Sequence, residues 1–428
     1  MTAPLPMPLV ALGIAAFAVG TTEFAVAGLL PAIATDVGVS VPTAGLLVTA
    51  YAIGVAVGGP FLAIVTTALP RKPLLVAVMA VFVAGNALCA AAPSYWLLMA
   101  ARLLISFSHG LFFGVATVLA TRLVREDRRS SAIAVVMGGV SIASLLGVPG
   151  GTAIGYAFGW RTSFGIVACL SLLAALMLVA SLPSTREDLI RPAPSLGHEL
   201  KVVRRQQVFL SYVMGAVTLV GDFALFTYIA PVLTEVTGMP SEAIPAMLLL
   251  FGLGGTLGTV IGGRLGDWKL MPVLTAIFAL QTVTYLALAF ALRSTGLMSI
   301  LVFVWGAVAF AFASPLQSRI LKWSSDAPNF ASTLISTTFN IGIAAGAWVG
   351  GIALSMEWGY ANLPWIGVAC AAVSLGLAVF SWAIETRISA HFSTEYRTEA
   401  GLANAIADLA VDPKDPRKNR RSPTTRLQ

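Results

Sequence analysis

Residues 95–119 read YWLLMAARLLISFSHGLFFGVATVL, and the reading of this stretch decides what kind of protein the chain is. Twenty-five residues of helix reach ~37 Å, enough to cross a bilayer. The run nevertheless carries Arg102 and His109 in its interior. Arg102, Ser106, His109 and Phe113 recur at helical spacing and so share one face. A guanidinium at the centre of a membrane helix costs about 3 kcal/mol on insertion scales. A chain that keeps one there needs a counter-group for it or a wet cavity beside it.

The rest of the chain supplies the membrane setting. Of 428 residues, 57% are hydrophobic and only 11% charged, with a mean hydropathy of +0.88. A soluble domain carries about a quarter charged residues, so the composition is that of an all-α polytopic membrane protein. The three cysteines, Cys89, Cys169 and Cys370, fall in separate apolar runs and read as small buried hydrophobes. Met1–Met7 has no basic residue, and the apolar run after it is too long for a signal-peptide core, so residues 8–30 read as a first span.

Twelve apolar segments follow one another: 8–30, 43–68, 74–92, 95–119, 131–157, 162–182, 208–230, 243–265, 271–292, 297–318, 331–355 and 363–386. The predicted organisation is therefore a six-helix bundle over 1–182, a polar cytoplasmic linker over 183–207, a second six-helix bundle over 208–386 and a basic tail over 387–428. With the N-terminus inside, 23 of the 26 Lys and Arg residues fall on the cytoplasmic side, two (Arg161 and Arg293) fall outside, and Arg102 lies within the membrane. This asymmetry predicts both termini in the cytoplasm. It also removes nucleic acid as the reason for the net charge of +7. Tyr95, Trp96, Trp160, Trp358 and Trp365 fall near the predicted outer ends, where interface aromatics collect.

The two halves read as parallel copies of one plan, a pattern found in transporters. Span 1 contains Gly20-Thr21-Thr22-Glu23-Phe24 and reaches Pro31; span 7 contains Gly221-Asp222-Phe223 and reaches Pro231. Taking those prolines as the outer ends, Glu23 and Asp222 lie ~12 and ~13 Å deep, and Arg102 lies ~10 Å below the start of span 4. Three spans thus place a charge at one predicted level. Burial favours the neutral carboxyl and a nearby guanidinium favours the carboxylate, so an acid held between the two influences can gain and lose a proton. The alternative is a static ion pair between Arg102 and one acid. For His109 the alternative is a packing role against Ser106 or a backbone carbonyl.

Span 5 carries Gly138-Gly139 and then Gly147-Val148-Pro149-Gly150-Gly151, where absent side chains permit close approach and the proline permits a bend. Spans 8 and 11 hold glycines at Gly254, Gly258, Gly262 and at Gly342, Gly346, Gly350, consistent with tight helix packing.

On these stretches the sequence resembles the major facilitator superfamily and, within it, the twelve-span drug:proton antiporters. It is similar to bacterial arabinose-type sugar efflux permeases and chloramphenicol exporters. The matching residues are Gly20–Phe24 with Gly28-Leu29-Leu30-Pro31, the Arg102 span with Ser108-His109-Gly110, Gly147–Gly151 with Gly159-Trp160-Arg161, and Phe339-Asn340-Ile341-Gly342. The resemblance implies proton coupling through Arg102, an antiporter signature at Gly147, Pro149, Gly150 and Gly151, and a cavity lined by spans 1, 4, 7 and 10. The family's loop motif between spans 2 and 3 is eroded. Arg71 and Lys72 remain, but Thr67 stands where an aspartate is expected, whereas the second half keeps Gly263 and Asp267. Asp222 has no counterpart in the look-alikes.

The expected activity is export of a small, mostly neutral amphipathic compound, chloramphenicol-like, in exchange for protons by alternating access. A sugar or sugar analogue is the alternative substrate. Glu23, Arg102 and Asp222 are the expected proton-coupling residues. Thr21, Thr22, Ser106, His109, Thr218, Tyr228 and Asn340 are the expected solute contacts, and H+ is the coupling ion, with no cofactor or metal. The expected partners are the solute and the lipid bilayer of a bacterial inner membrane, with the monomer as the functional unit. A membrane enzyme would call for clustered His, Asp or Cys near an interface, and the three histidines (109, 198, 391) are scattered. A channel suits two matched halves less well than alternating access does.

Overall fold

The computed structural model describes residues 6–66, 69–182, 205–324 and 328–409. Twelve helices in it are long and apolar enough to cross a membrane. In chain order they are α1 (Met7–Asp36), α2 (Val41–Val65), α3 (Arg71–Ala91), α4 (Tyr95–Arg122), α5 (Arg129–Phe158), α6 (Trp160–Ser181) and α7 (Gln206–Phe226), then α8 (Ile244–Trp268), α9 (Leu270–Ala291), α10 (Thr295–Trp323), α11 (Pro328–Ser355) and α12 (Leu363–Leu409). No strand occurs among the described residues. The fold is the expected all-α membrane bundle.

The two halves repeat one packing scheme. α2 packs on α4 and α1 on α5 in the first half; α8 packs on α10 and α7 on α11 in the second. Four glycines adopt positive φ, at Gly38, Gly159, Gly238 and Gly359, a conformation that only glycine enters without strain. They fall in the α1–α2, α5–α6, α7–α8 and α11–α12 connections, the same two joints in each half. The repeat visible in the sequence is therefore a repeat of backbone geometry.

The chain divides into two compact units, Met1–Ala378 and Val379–Gln428. The first holds α1 to α11 and the start of α12, and within it α2 packs on α11 and α5 on α8. In the second, α12 runs without a break to Leu409, so the expected tail begins as helix; no proline occurs before Pro413 to stop it. The linker residues 183–204 and the tail beyond 409 lie outside the described residues.

Close approach explains the glycine series. A Cβ added at Gly254, Gly258 or Gly262 would lie 2.0, 1.8 or 2.0 Å from the carbonyl oxygens of Phe303, Ala307 and Ala311. Three turns of α8 therefore lie directly on the backbone of α10, the way small residues bring membrane helices together.

Three boundary expectations are corrected. Pro31 does not end α1, which continues to Asp36, where the carboxylate pairs with Arg161 and accepts from Trp160 Nε1 at 3.1 Å. Arg161 also donates to the Ala92 carbonyl, so α1, α6 and the end of α3 are tied together there. Near Pro231, α7 breaks earlier, at Phe226, and resumes as a short turn and a π turn over Val232–Val236. Finally, Arg319 is not a loop residue. It is buried within α10 and donates to Gln207 and to Ser211 Oγ (3.1 Å) on α7.

Candidate functional site

Arg102 of α4 is fully buried, and its partners come from α1 and α2. Its Nη1 donates to the backbone carbonyl of Thr22 on α1 at 2.7 Å. Its guanidinium lies 4.0 Å from the ring centroid of Tyr51 on α2, a cation–π contact in a desolvated place, worth about 2 kcal/mol. Nε and Nη2 have no hydrogen-bond partner. The side chain thus has two of its donor nitrogens unused beside an acid of α1.

That acid, Glu23, is half-buried and makes no hydrogen bond or ion pair among the described residues. Arg102 is the charged group that acts on it. Its neighbour Thr22 is anchored on the other side. Thr22 Oγ1 donates to Ala18 O and to Asn86 Oδ1 on α3, both at 3.1 Å, and Asn86 Nδ2 donates to Phe82 O. The α1 backbone is therefore held at this point from α3 and α4 together.

His109 continues the same face of α4. Its Nδ1 is 2.9 Å from the Tyr51 hydroxyl, and its ring packs against Tyr51 and Phe113. Tyr51 therefore joins Arg102, which it meets with its ring, to His109, which it meets with its hydroxyl. Sequence reading paired His109 with Ser106 or a backbone carbonyl and did not single out Tyr51 or Asn86. Ser106 instead donates to Leu103 O and fills the space above Gly54.

Asp222 corrects the expectation that three charges meet at one level. All its hydrogen-bond partners belong to the second half. Oδ1 accepts from Gln281 Nε2 (3.0 Å) and the Tyr285 hydroxyl on α9, and from Trp305 Nε1 (3.2 Å) on α10. Arg102 and Asp222 keep separate sets of partners. The equal depths were counted from Pro31 and Pro231, and neither proline ends its helix where that count placed the end. A signal for this cluster existed, since Gln281 and Tyr285 are four residues apart and share a face of α9.

Next to each acid in the sequence stands an aromatic ring. Phe24, next to Glu23, packs against Phe223, next to Asp222, at 6.0 Å, and against Phe226 at 6.3 Å. Phe226 continues to Phe251 and Trp305, and Phe251 to Phe310. Phe24, Phe223 and Phe310 are only half-buried. This is the place where the opening helices of the two halves meet.

The expected solute contacts are mostly committed elsewhere. Thr21 donates to Phe17 O and Thr218 to Ser374 Oγ. Tyr228 is fully buried, donates to Ala347 O on α11, and is wedged against Gly45 of α2 and Gly350 of α11. Asn340 is buried, with Nδ2 on Ser336 O and Oδ1 unpartnered. In apolar surroundings hydroxyls satisfy themselves on nearby carbonyls, which turns them away from a solute. No group of three or more metal-binding side chains occurs among the described residues.

The model of the Major Facilitator Superfamily matches residues 12–347. This chain belongs to that superfamily. It is similar to the inner membrane transport protein YdhP of Escherichia coli strain K12, 40% identical over 377 residues that cover 87% of this chain and 95% of the relative. It is 36% identical to a chloramphenicol resistance protein of Streptomyces lividans (87% and 96% covered) and to an uncharacterized MFS-type transporter, YtbD, of Bacillus subtilis (84% and 91%). As a member of the superfamily the protein is a multi-pass membrane transporter and not an enzyme.

Within this superfamily member the glycine–proline stretch occupies a defined position. Ala143–Gly147 forms a π turn inside α5, immediately before Val148 and Pro149. A Cβ at Gly147 would lie 2.1 Å from Thr21 Oγ1, and one at Gly252 of α8 would lie 2.6 Å from Ser144 O. The irregular turn is thus pinned between α1 and the other half. Gly150 has open space where a Cβ would stand, and at Gly151 a Cβ would meet only Thr21 Cγ2, at 3.9 Å. Lys72 donates to Leu182 O, and Arg71 is half-buried; in the second half Gly263 faces Ser314, and Asp267 is exposed.

Proposed function

We propose that this protein exports small amphipathic, mostly neutral compounds across a bacterial inner membrane in exchange for protons, by alternating access. The observation that carries the reading is Arg102. It is a fully buried guanidinium with two unpartnered nitrogens beside a half-buried acid that has no bonding partner of its own among the described residues. A carboxyl in that setting is neutral when the guanidinium is turned from it and ionised when it is turned toward it, so small helix movements move a proton. One charge moved through about 150 mV supplies about 3.5 kcal/mol, enough to hold a few-hundredfold solute gradient at one-to-one coupling.

The half-buried rings of Phe24, Phe223 and Phe310 favour a ligand with an apolar or aromatic part over a sugar. The similarity to a chloramphenicol resistance protein supports the same class. The charge asymmetry of the loops supports cytoplasmic termini.

Everted vesicles with an acidified lumen provide the test. Chloramphenicol added outside is expected to be taken up and to speed the loss of lumenal protons. Glu23→Gln is expected to abolish that proton movement while the variant remains folded. Unchanged proton movement in Glu23→Gln removes Glu23 from the mechanism, and solute uptake without any proton movement in the wild type removes the exchange.

A further inference from the structure

The Asp222 cluster contains two oxygens that its hydrogen bonds leave out. Asp222 Oδ2 and Gln281 Oε1 are both buried and both without a hydrogen-bond partner. Asp222 is 4% exposed and Gln281 0%. Their side chains already lie together, because Gln281 Nε2 donates to Asp222 Oδ1 at 3.0 Å. Tyr285 and Trp305 also donate to Oδ1, and Trp305 Nε1 lies 3.1 Å from the Tyr285 hydroxyl, so every donor of the cluster is directed to one side of the carboxyl.

Two acceptors left dry in one cluster cost about 1–3 kcal/mol each. A single hydrogen removes both costs. Placed on Oδ2, it donates to Gln281 Oε1 while the amide N–H donates to Oδ1, which closes an acid–amide pair held by two antiparallel hydrogen bonds. We infer that Asp222 is a proton-binding site separate from the Glu23–Arg102 pair, carrying its proton on Oδ2 with Gln281 Oε1 as the acceptor.

The charges around it agree. The groups facing Asp222 are Gln281 and Tyr285 from α9, Trp305 from α10 and Cys370 from α12, whose Cβ lies 2.9 Å from a Cβ added at the adjacent Gly221. None of these is a cation. The buried arginine of this half, Arg319, binds α7 at Ser211 and Gln207, at least eleven residues before Asp222 and so ~16 Å along the helix. An ionised Asp222 would be a buried charge without a counter-ion, an arrangement that proteins avoid. The site concerns the second half alone and holds whichever solute is exported.

Infrared spectra of the full chain in lipid vesicles at neutral pH test the assignment without any solute. The wild type is expected to show a protonated-carboxyl C=O band that Glu23→Gln retains and Asp222→Asn lacks. Its absence from the wild type, or its survival in Asp222→Asn, overturns the inference. Asp222→Asn is expected to unfold close to the wild-type midpoint, because an amide offers an N–H to Gln281 Oε1 and a carbonyl to the three donors. Asp222→Leu is expected to unfold well below it, and equal losses in the two variants overturn the inference. Gln281→Leu is expected to shift the band to the position of an acid without an acceptor. A stabilisation by sodium over potassium that Asp222→Asn loses would overturn it in favour of a bound cation.

Discussion

Replacing Arg102 tests the first half most directly, because the structure permits each loss to be itemised. Arg102→Ala removes a charged hydrogen bond to Thr22 O, worth about 1.5–3 kcal/mol. It also removes the cation–π contact with Tyr51, about 2 kcal/mol, and leaves Glu23 without its counter-charge. Together these give an expected loss of about 3–5 kcal/mol. Arg102→Lys keeps the charge but loses the planar stack and is expected to cost about 1–2 kcal/mol. The decisive variant is Glu23→Gln/Arg102→Ala. With both charges gone, the uncompensated acid is gone as well, so the double variant is expected to be more stable than Arg102→Ala alone. Denaturant unfolding in detergent micelles, followed on all four proteins, reads these differences. Equal and mild effects in Arg102→Ala and Arg102→Lys, or a double variant no better than Arg102→Ala, would refute the idea that the two side chains act on each other.

Two further outcomes follow from particular contacts. Tyr51→Phe keeps the ring over Arg102 and deletes the hydroxyl bonded to His109 Nδ1, so stability is expected to fall by only about 1 kcal/mol. Tyr51→Ala is expected to lose at least about 3 kcal/mol in the same unfolding assay, from the cavity and the lost cation–π contact. Gly258→Ala sets a methyl 1.8 Å from the Ala307 carbonyl oxygen and is expected to cost about 1–3 kcal/mol, whereas Gly150→Ala, with open space, is expected to cost less than about 0.5 kcal/mol, by thermal unfolding.

The twelve spans were legible because each is an apolar run bounded by polar residues or glycine, and the bilayer fixes how long such a run must be. That Arg102 meets α1 was legible from depth, since a buried guanidinium has few places to go, but its bond goes to the Thr22 carbonyl and not to a carboxylate. Azimuth was not. Depth follows from counting residues, but the direction in which Asp222 points depends on how α7 is rolled against α9 and α10, and apolar faces all round give no moment to read. Gln281 and Tyr285 were visible as a pair on one face, yet nothing in the sequence said that they met Asp222. Arg319 was misread for a related reason: a basic residue near the end of an apolar run looks like a loop residue unless its partners, Ser211 and Gln207, are known to lie opposite.

The rings of Phe24 and Phe223 touch across the two halves, each one residue from an acid. An oily contact of this kind offers no hydrogen-bonded path for a proton across the seam, while its low dielectric leaves electrostatic fields stronger there than water would.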